Sequence, residues 1–142
     1  MGLQRCECSA ELMTSGEFPI GNPPLQLTAE FTLDINICPD CTLEDSFVRA
    51  TVTIDVPIGS DVNIEFDGAP VGLPECENGV LTVEVAGTLS INGHDREVTT
   101  TLTLDTNEDE VCFTLPVNLP IIGNTLCIPV EGLAIEECVD AL

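Results

Sequence analysis

From Leu25 to Ile37 the chain alternates with a strict period of two. Leu25, Leu27, Ala29, Phe31, Leu33, Ile35 and Ile37 share one face, and Gln26, Thr28, Glu30, Thr32, Asp34 and Asn36 take the other. Successive side chains of a strand point to opposite faces, so a strand apolar on one face only belongs to an antiparallel sheet with one side in the core. The same pattern returns in Val48, Ala50, Val52, Ile54 and Val56, then in Val62, Ile64 and Phe66. It continues through Leu81, Val83, Val85, Leu89 and Ile91, through Val98, Leu102 and Leu104, and through Val111, Phe113, Leu115, Val117 and Leu119. Leu126, Ile128 and Val130 follow, with a last short strand near Leu133 to Val139. Residues that favour turns separate the runs: Pro57 to Ser60, Asp67-Gly68 and Asn92-Gly93. No segment carries a helical period.

About eight such strands predict an all-β fold, an antiparallel β-sandwich of jelly-roll or immunoglobulin-like type. The pattern assigns one domain to residues 17–142. Residues 1–16 read as an extended N-terminal arm, because Leu3, Leu12 and Met13 are its only sizeable apolar groups. Roughly thirty inward apolar side chains at about 1.5 to 3 kcal/mol each give a gross driving force of the order that chain entropy consumes. The domain is therefore expected to fold without needing every cysteine as a staple.

Charge narrows the partners. The 142 residues hold 25 acidic groups against three arginines and no lysine, a formal charge of −22. Binding to a phosphate backbone needs clustered cations, so nucleic acid is excluded as a partner, and an anionic membrane surface by the same reasoning. No window approaches the roughly 18 apolar residues of a spanning helix, and Met1 to Ile20 lacks the apolar stretch of a signal peptide. Catalytic chemistry is equally poorly supplied. His94 is the only histidine, no G-x-S-x-G elbow or P-loop occurs, and Trp and Tyr are absent, which leaves no platform for sugar stacking. No catalytic residue and no small-molecule substrate is identified, and the chain is expected not to be an enzyme.

Eight cysteines point to an oxidising, extracellular or cell-surface environment. They allow 105 complete pairings. Cys6 and Cys8 lie on the arm and are not expected to bond to each other; they reach either a neighbouring subunit or back onto their own domain. Cys38-Pro39-Asp40-Cys41 follows the longest alternating run and is expected to bond within the chain. Cys112 and Cys127 fall out of phase with the apolar residues around them, and pairing of their strands would bring them nearly opposite each other for a cross-strand disulfide. Cys76 and Cys138 have no local partner and are candidates, with Cys6 and Cys8, for bonds between subunits. Two metal alternatives stay open. Cys6, Cys8, Cys38 and Cys41 could make a tetrahedral zinc site, with Cys38 and Cys41 the better-spaced half. Asp105, Asn107 and Asp109 could offer oxygens to calcium, although Glu110 stands where an EF-hand requires glycine. Neither cofactor is required by the pattern.

A Cys-x-Cys arm at Cys6 and Cys8, ahead of a cysteine-rich β-sandwich without a signal peptide, resembles the subunits of bacterial endospore appendages. That resemblance implies a jelly-roll domain whose N-terminal cysteine arm bonds to preceding subunits of a fibre, and it carries over to Cys6 and Cys8 alone. The expected function is a self-assembling structural subunit of an extracellular or spore-surface fibre, with further copies of itself as partner. A monomeric zinc- or calcium-binding module and a virus or phage decoration protein are the competing readings.

Overall fold

The computed structural model describes residues 5–20, 26–56, 59, 61–119 and 123–138, with side chains throughout except at 116–119 and 123. Leu3, Leu25 and Val139 lie outside the described residues, as do the side chains of Val117 and Leu119. The described chain is all-β: β1 (Cys8–Ile20), β2 (Leu27–Ile37), β3 (Phe47–Asp55), β4 (Val62–Pro70), β5 (Glu75–Glu77), β6 (Val80–Ile91), β7 (His94–Asp105), β8 (Glu110–Leu119), β9 (Gly123–Pro129) and β10 (Ile135–Glu137). One 3₁₀ turn, Pro39–Cys41, lies between β2 and β3.

Every strand pair is antiparallel, and all the strands form one sheet in the order β10-β1-β2-β3-β4-β6-β7-β8-β9, with β5 paired to β6 beside β4. This is a meander, without the crossings between sheets that define a jelly roll or an immunoglobulin fold. Laid flat, nine strands at about 4.8 Å spacing would put β9 and β10 roughly 38 Å apart. Only residues 130–134 join those strands, and that stretch reaches at most about 20 Å. The sheet must curl, and it forms a strongly curved half-barrel. A curved single sheet offers one apolar face just as two packed sheets do, which is why alternation alone suggests a sandwich.

The inner face is the core. Leu33, Ile35, Ile37, Ile54, Leu81, Leu89, Leu102, Leu104 and Ile128 are fully buried. Phe66 of β4 meets Phe113 of β8 edge to face, with ring centroids 6.3 Å apart. Ala50, Val52, Ile64, Phe66, Leu89, Phe113, Leu115 and Leu126 close in on a space of only about 20 Å³. Among the described residues these side chains fill this part of the interior and leave no room for a ligand there.

Two glycines allow a close approach of neighbouring strands. Gly68 and Gly87 face each other across β4 and β6, both at inward positions. A Cβ at Gly68 would stand 2.5 Å from the Ala86 carbonyl oxygen, and one at Gly87 would collide with the backbone of Asp67 and Gly68. The strands can approach this closely only without side chains. Asp67-Gly68, which reads as the end of a strand in the sequence, lies inside β4, which runs on to Pro70.

The expected arm is largely strand. Cys8–Ile20 pairs with β2 along its length, from Ala10↔Ile37 to Ile20↔Leu27, and Cys8 to Ala10 also pair with β10. Cys8, Ala10, Leu12 and Phe18 are buried, while Glu11, Met13 and Glu17 are exposed. The alternation is present in the sequence but is written in cysteine, alanine and glycine as well as in large residues. Gly16 faces Phe31, whose ring covers it at 3.3 Å from a would-be Cβ and packs edge to face on Phe18.

Candidate functional site

The register of a meander fixes where each strand begins and ends. β1 starts, β2 ends, β3 starts, β6 starts, β7 ends, β8 starts and β9 ends at one rim of the half-barrel. All eight cysteines belong to that end. Cys6 and Cys8 lead into β1, Cys38 and Cys41 lie in the β2–β3 connection, and Cys76 is in β5. Cys112 and Cys127 sit two residues inside β8 and β9, and Cys138 follows β10.

They form four disulfides within the chain: Cys6–Cys38, Cys8–Cys76, Cys41–Cys138 and Cys112–Cys127. Cys112–Cys127 is the cross-strand pair that the phase of the two strands suggests, directly opposite in register with Cα atoms 4.0 Å apart. The four candidates for bonds between subunits, Cys6, Cys8, Cys76 and Cys138, are all joined internally. The reason is local: Cys6 and Cys8 are two residues apart on extended backbone, share the inward face and are buried. Cys38 and Cys41 bond within the chain, each to a distant partner.

Those bonds hold an unusual loop. Cys38, Asp40, Cys41 and Asp45 all have φ between 57° and 65°, a region that costs a residue with a side chain roughly 1–2 kcal/mol. The Ser46 hydroxyl accepts the buried Cys38 N–H at 2.8 Å, and the Cys41 carbonyl accepts the Cys6 N–H at 2.9 Å. Arg5 bridges to Thr42, so the chain ahead of β1 runs along this loop. On the other side the Glu7 carbonyl accepts the Cys138 N–H at 2.9 Å. Disulfides and backbone bonds together lash the start and the end of the described chain to one corner.

A cleft of about 510 Å³ opens here between the β5–β6 turn and the β10 segment, with Glu7, Cys8, Cys76, Glu77, Thr106 and Glu137 among its lining residues. Its carboxylates are on exposed residues. Among the described residues every buried side-chain nitrogen and oxygen has a hydrogen-bond partner, so no polar group in the interior is left to orient a ligand.

The structure separates the residues of the two metal readings. A disulfide sulfur does not replace a thiolate as a zinc ligand, and Cys6, Cys8, Cys38 and Cys41 are distributed over three bonds. Asp105 Oδ1 accepts the backbone N–H groups of Asn107 and Glu108 at 2.9 and 3.2 Å, and the Asn107 amide donates to the Asn78 carbonyl at 2.8 Å. Two of the three calcium candidates, with exposed Asp109 in the left-handed region, thus build the β7–β8 turn and tie it to the β5–β6 turn. His94 is exposed at the first position of β7. Among the described residues, Glu110, Cys112 and Cys127 form the one group of ligand-type side chains drawn tightly together. The alternation around Cys112 and Cys127 gives their pairing in the sequence, and Glu110, two residues before Cys112, shares its face by the same period of two.

No helix among the described residues is long and apolar enough to cross a membrane. Comparison with protein-family models, with curated proteins and with solved structures found no match.

Proposed function

We propose that this protein is a structural, non-catalytic subunit of an extracellular or spore-surface fibre, joined to its neighbours through open sheet edges while its disulfides stabilise each subunit internally. The observation that carries this reading is the free side of β1. β10 covers only Cys8 to Ala10, so from Glu11 to Ile20 the backbone groups on that side have no strand partner among the described residues. The outer side of β9 likewise has no strand partner among the described residues. Unpaired strand edges are templates for a strand of another chain, and a head-to-tail contact that does not close generates a filament.

The edge is also guarded. Glu11 and Glu17 are exposed along β1, and Pro19 cannot donate a ladder hydrogen bond. With a net charge of −22, these features oppose indiscriminate lateral clumping and favour a partner in one register. Four disulfides fit an oxidising destination. The resemblance to endospore appendage subunits keeps its assembly logic but moves the joint from the cysteines of the arm to the backbone of β1.

Negative-stain microscopy of the oxidised protein at high concentration, with denaturing gels run with and without reductant, tests the proposal. Filaments that collapse to a monomer band in both lanes are the expected result, because every cysteine is satisfied within its own chain. A monodisperse monomer under oxidising conditions would sink it.

A further inference from the structure

The four disulfides differ in what surrounds them. Cys6, Cys8 and Cys38 are buried, and Cys41, Cys76 and Cys138 are half-covered within the lashed corner. Cys112–Cys127 stands apart on the outer face of β8 and β9, and Cys127 is the only cysteine exposed to solvent. Its strand lies at the end of the sheet, so no neighbouring strand shields it among the described residues. Among the described residues, Cys127 is therefore the cysteine most open to an approaching thiol. Exchange depends on access to the attacked sulfur as well as on thiolate chemistry.

Beside this bond lies a carboxylate. Glu110 precedes Cys112 by two residues, so both project from the same face of β8, and Glu110 Oε1 is 3.5 Å from Cys112 Sγ. Ligand atoms of Glu110, Cys112 and Cys127 all lie within 4.8 Å of one another. Zinc bonds sulfur at about 2.3 Å and carboxylate oxygen at about 2.0 Å, and tetrahedral angles then separate the two ligand atoms by roughly 3.5 Å. The oxygen already stands at that spacing. Three protein ligands would leave a fourth position for water.

We propose that Cys112–Cys127 is a redox-gated metal site, which after reduction binds one thiophilic divalent cation of the zinc type through Cys112, Cys127 and Glu110. The gate opens by exchange with an external dithiol. One of its thiolates attacks Cys127 Sγ, the bond between Cys127 and Cys112 breaks, and Cys112 leaves as a thiolate that takes up a proton. The second thiol of the reagent then displaces Cys127 and closes the reagent's own disulfide. Two protein thiols are formed and one dithiol is oxidised. The metal then forms two metal–sulfur bonds as two protons depart, and its oxidation state does not change. The cation holds the same register of β8 on β9 that the disulfide holds, so this face stays cross-linked in both redox states.

Stepwise reduction of the folded protein with dithiothreitol, followed by alkylation and peptide mass spectrometry, comes first. Cys112 and Cys127 are expected to be labelled while the other six cysteines stay bonded. Cadmium alone, titrated after removal of the dithiol, should then give thiolate-to-metal charge-transfer absorption saturating at one ion per chain. Cys112→Ser with Cys127→Ser should abolish that absorption. Glu110→Gln, which leaves the disulfide intact in the oxidised fold, should weaken binding roughly tenfold or more, since even an outer partner of a metal ligand is worth about that much. Earlier opening of another disulfide would overturn the proposal. So would cadmium absorption that persists in the double serine variant, or an affinity unchanged in Glu110→Gln.

Discussion

The two ends of the half-barrel are built from the same strands but held by different means. At the cysteine end, three disulfides join β1, the β2–β3 loop, β5 and the segment after β10, and a fourth clips β8 to β9. At the other end there is no cysteine. Phe18 and Phe31 pack with centroids 5.8 Å apart, and the Asn92-Gly93 turn anchors Asn63 at the start of β4. The difference follows from the topology. The cysteine end must hold β10 against β1, a return that only three residue pairs secure by backbone bonding, whereas the far end needs only the packing of neighbours that already share long ladders. Cys41–Cys138 stands where the β1–β10 register is short, and apolar packing holds the far end, where the ladders are long.

Breaking that comparison at its strongest point means cutting Cys41–Cys138, which spans 97 residues. A loop of that size is worth up to about 4.7 kcal/mol in the chain-entropy picture, an upper bound here because three other bonds already restrict the unfolded chain. Cys41→Ser with Cys138→Ser should therefore lower the stability by several kcal/mol, read by urea unfolding. Amide exchange should also quicken at Cys8 to Ala10, where β10 pairs, and stay slow at Phe31 and Val52. Equal loss of protection at both ends would show that the two are not independently held.

The far end has its own counterpart. Phe31 is 6% exposed, covers Gly16 and packs on Phe18, so truncation leaves a cavity that a glycine cannot refill. Phe31→Ala should cost about 3–4 kcal/mol, with the same loss in the Cys41→Ser, Cys138→Ser background if packing and disulfide act independently. A loss under about 1 kcal/mol would mean that the ring is not a core element.

How much of this was legible in the sequence depended on which residue types carried the signal. Strands β2, β3, β6 and β9 are written in Val, Ile, Leu and Phe, and their alternation is plain. β1 is written partly in Cys8, Ala10 and Gly16, so its inward face looks empty unless cysteine counts as a small apolar residue, and it reads as an arm. β5 is only three residues long, too short for any period, although Asn78-Gly79 marks its turn. Gly68 and Gly87 sit in inward phase on their strands, but their opposition depends on strand neighbours that alternation does not supply. The Cys112–Cys127 pair was legible because two out-of-phase cysteines flank one connection. The other three bonds join residues 32 to 97 positions apart, and only the closure of the sheet brings those together.

The smallest of these effects compares two turns of one design. Asn78-Gly79 and Asn92-Gly93 both have positive φ at each position, as two-residue hairpin turns require. The first lies two residues from Cys76 and its bond to Cys8; the second has only hydrogen bonds, with Asn92 Oδ1 accepting the Asn63 N–H at 2.8 Å and the Asn92 N–H reaching the Asn63 carbonyl at 2.8 Å. Asn92→Ala loses the side-chain acceptor and keeps a backbone conformation that alanine disfavours, a cost of about 1.5 kcal/mol. Asn92→Gly removes the backbone penalty and retains the loss of the acceptor, so it should recover roughly half of that. Urea midpoints of the two variants separate the contributions. If glycine recovers everything, the Asn63 bond contributes nothing measurable, and the far end is held by the packing around Phe31.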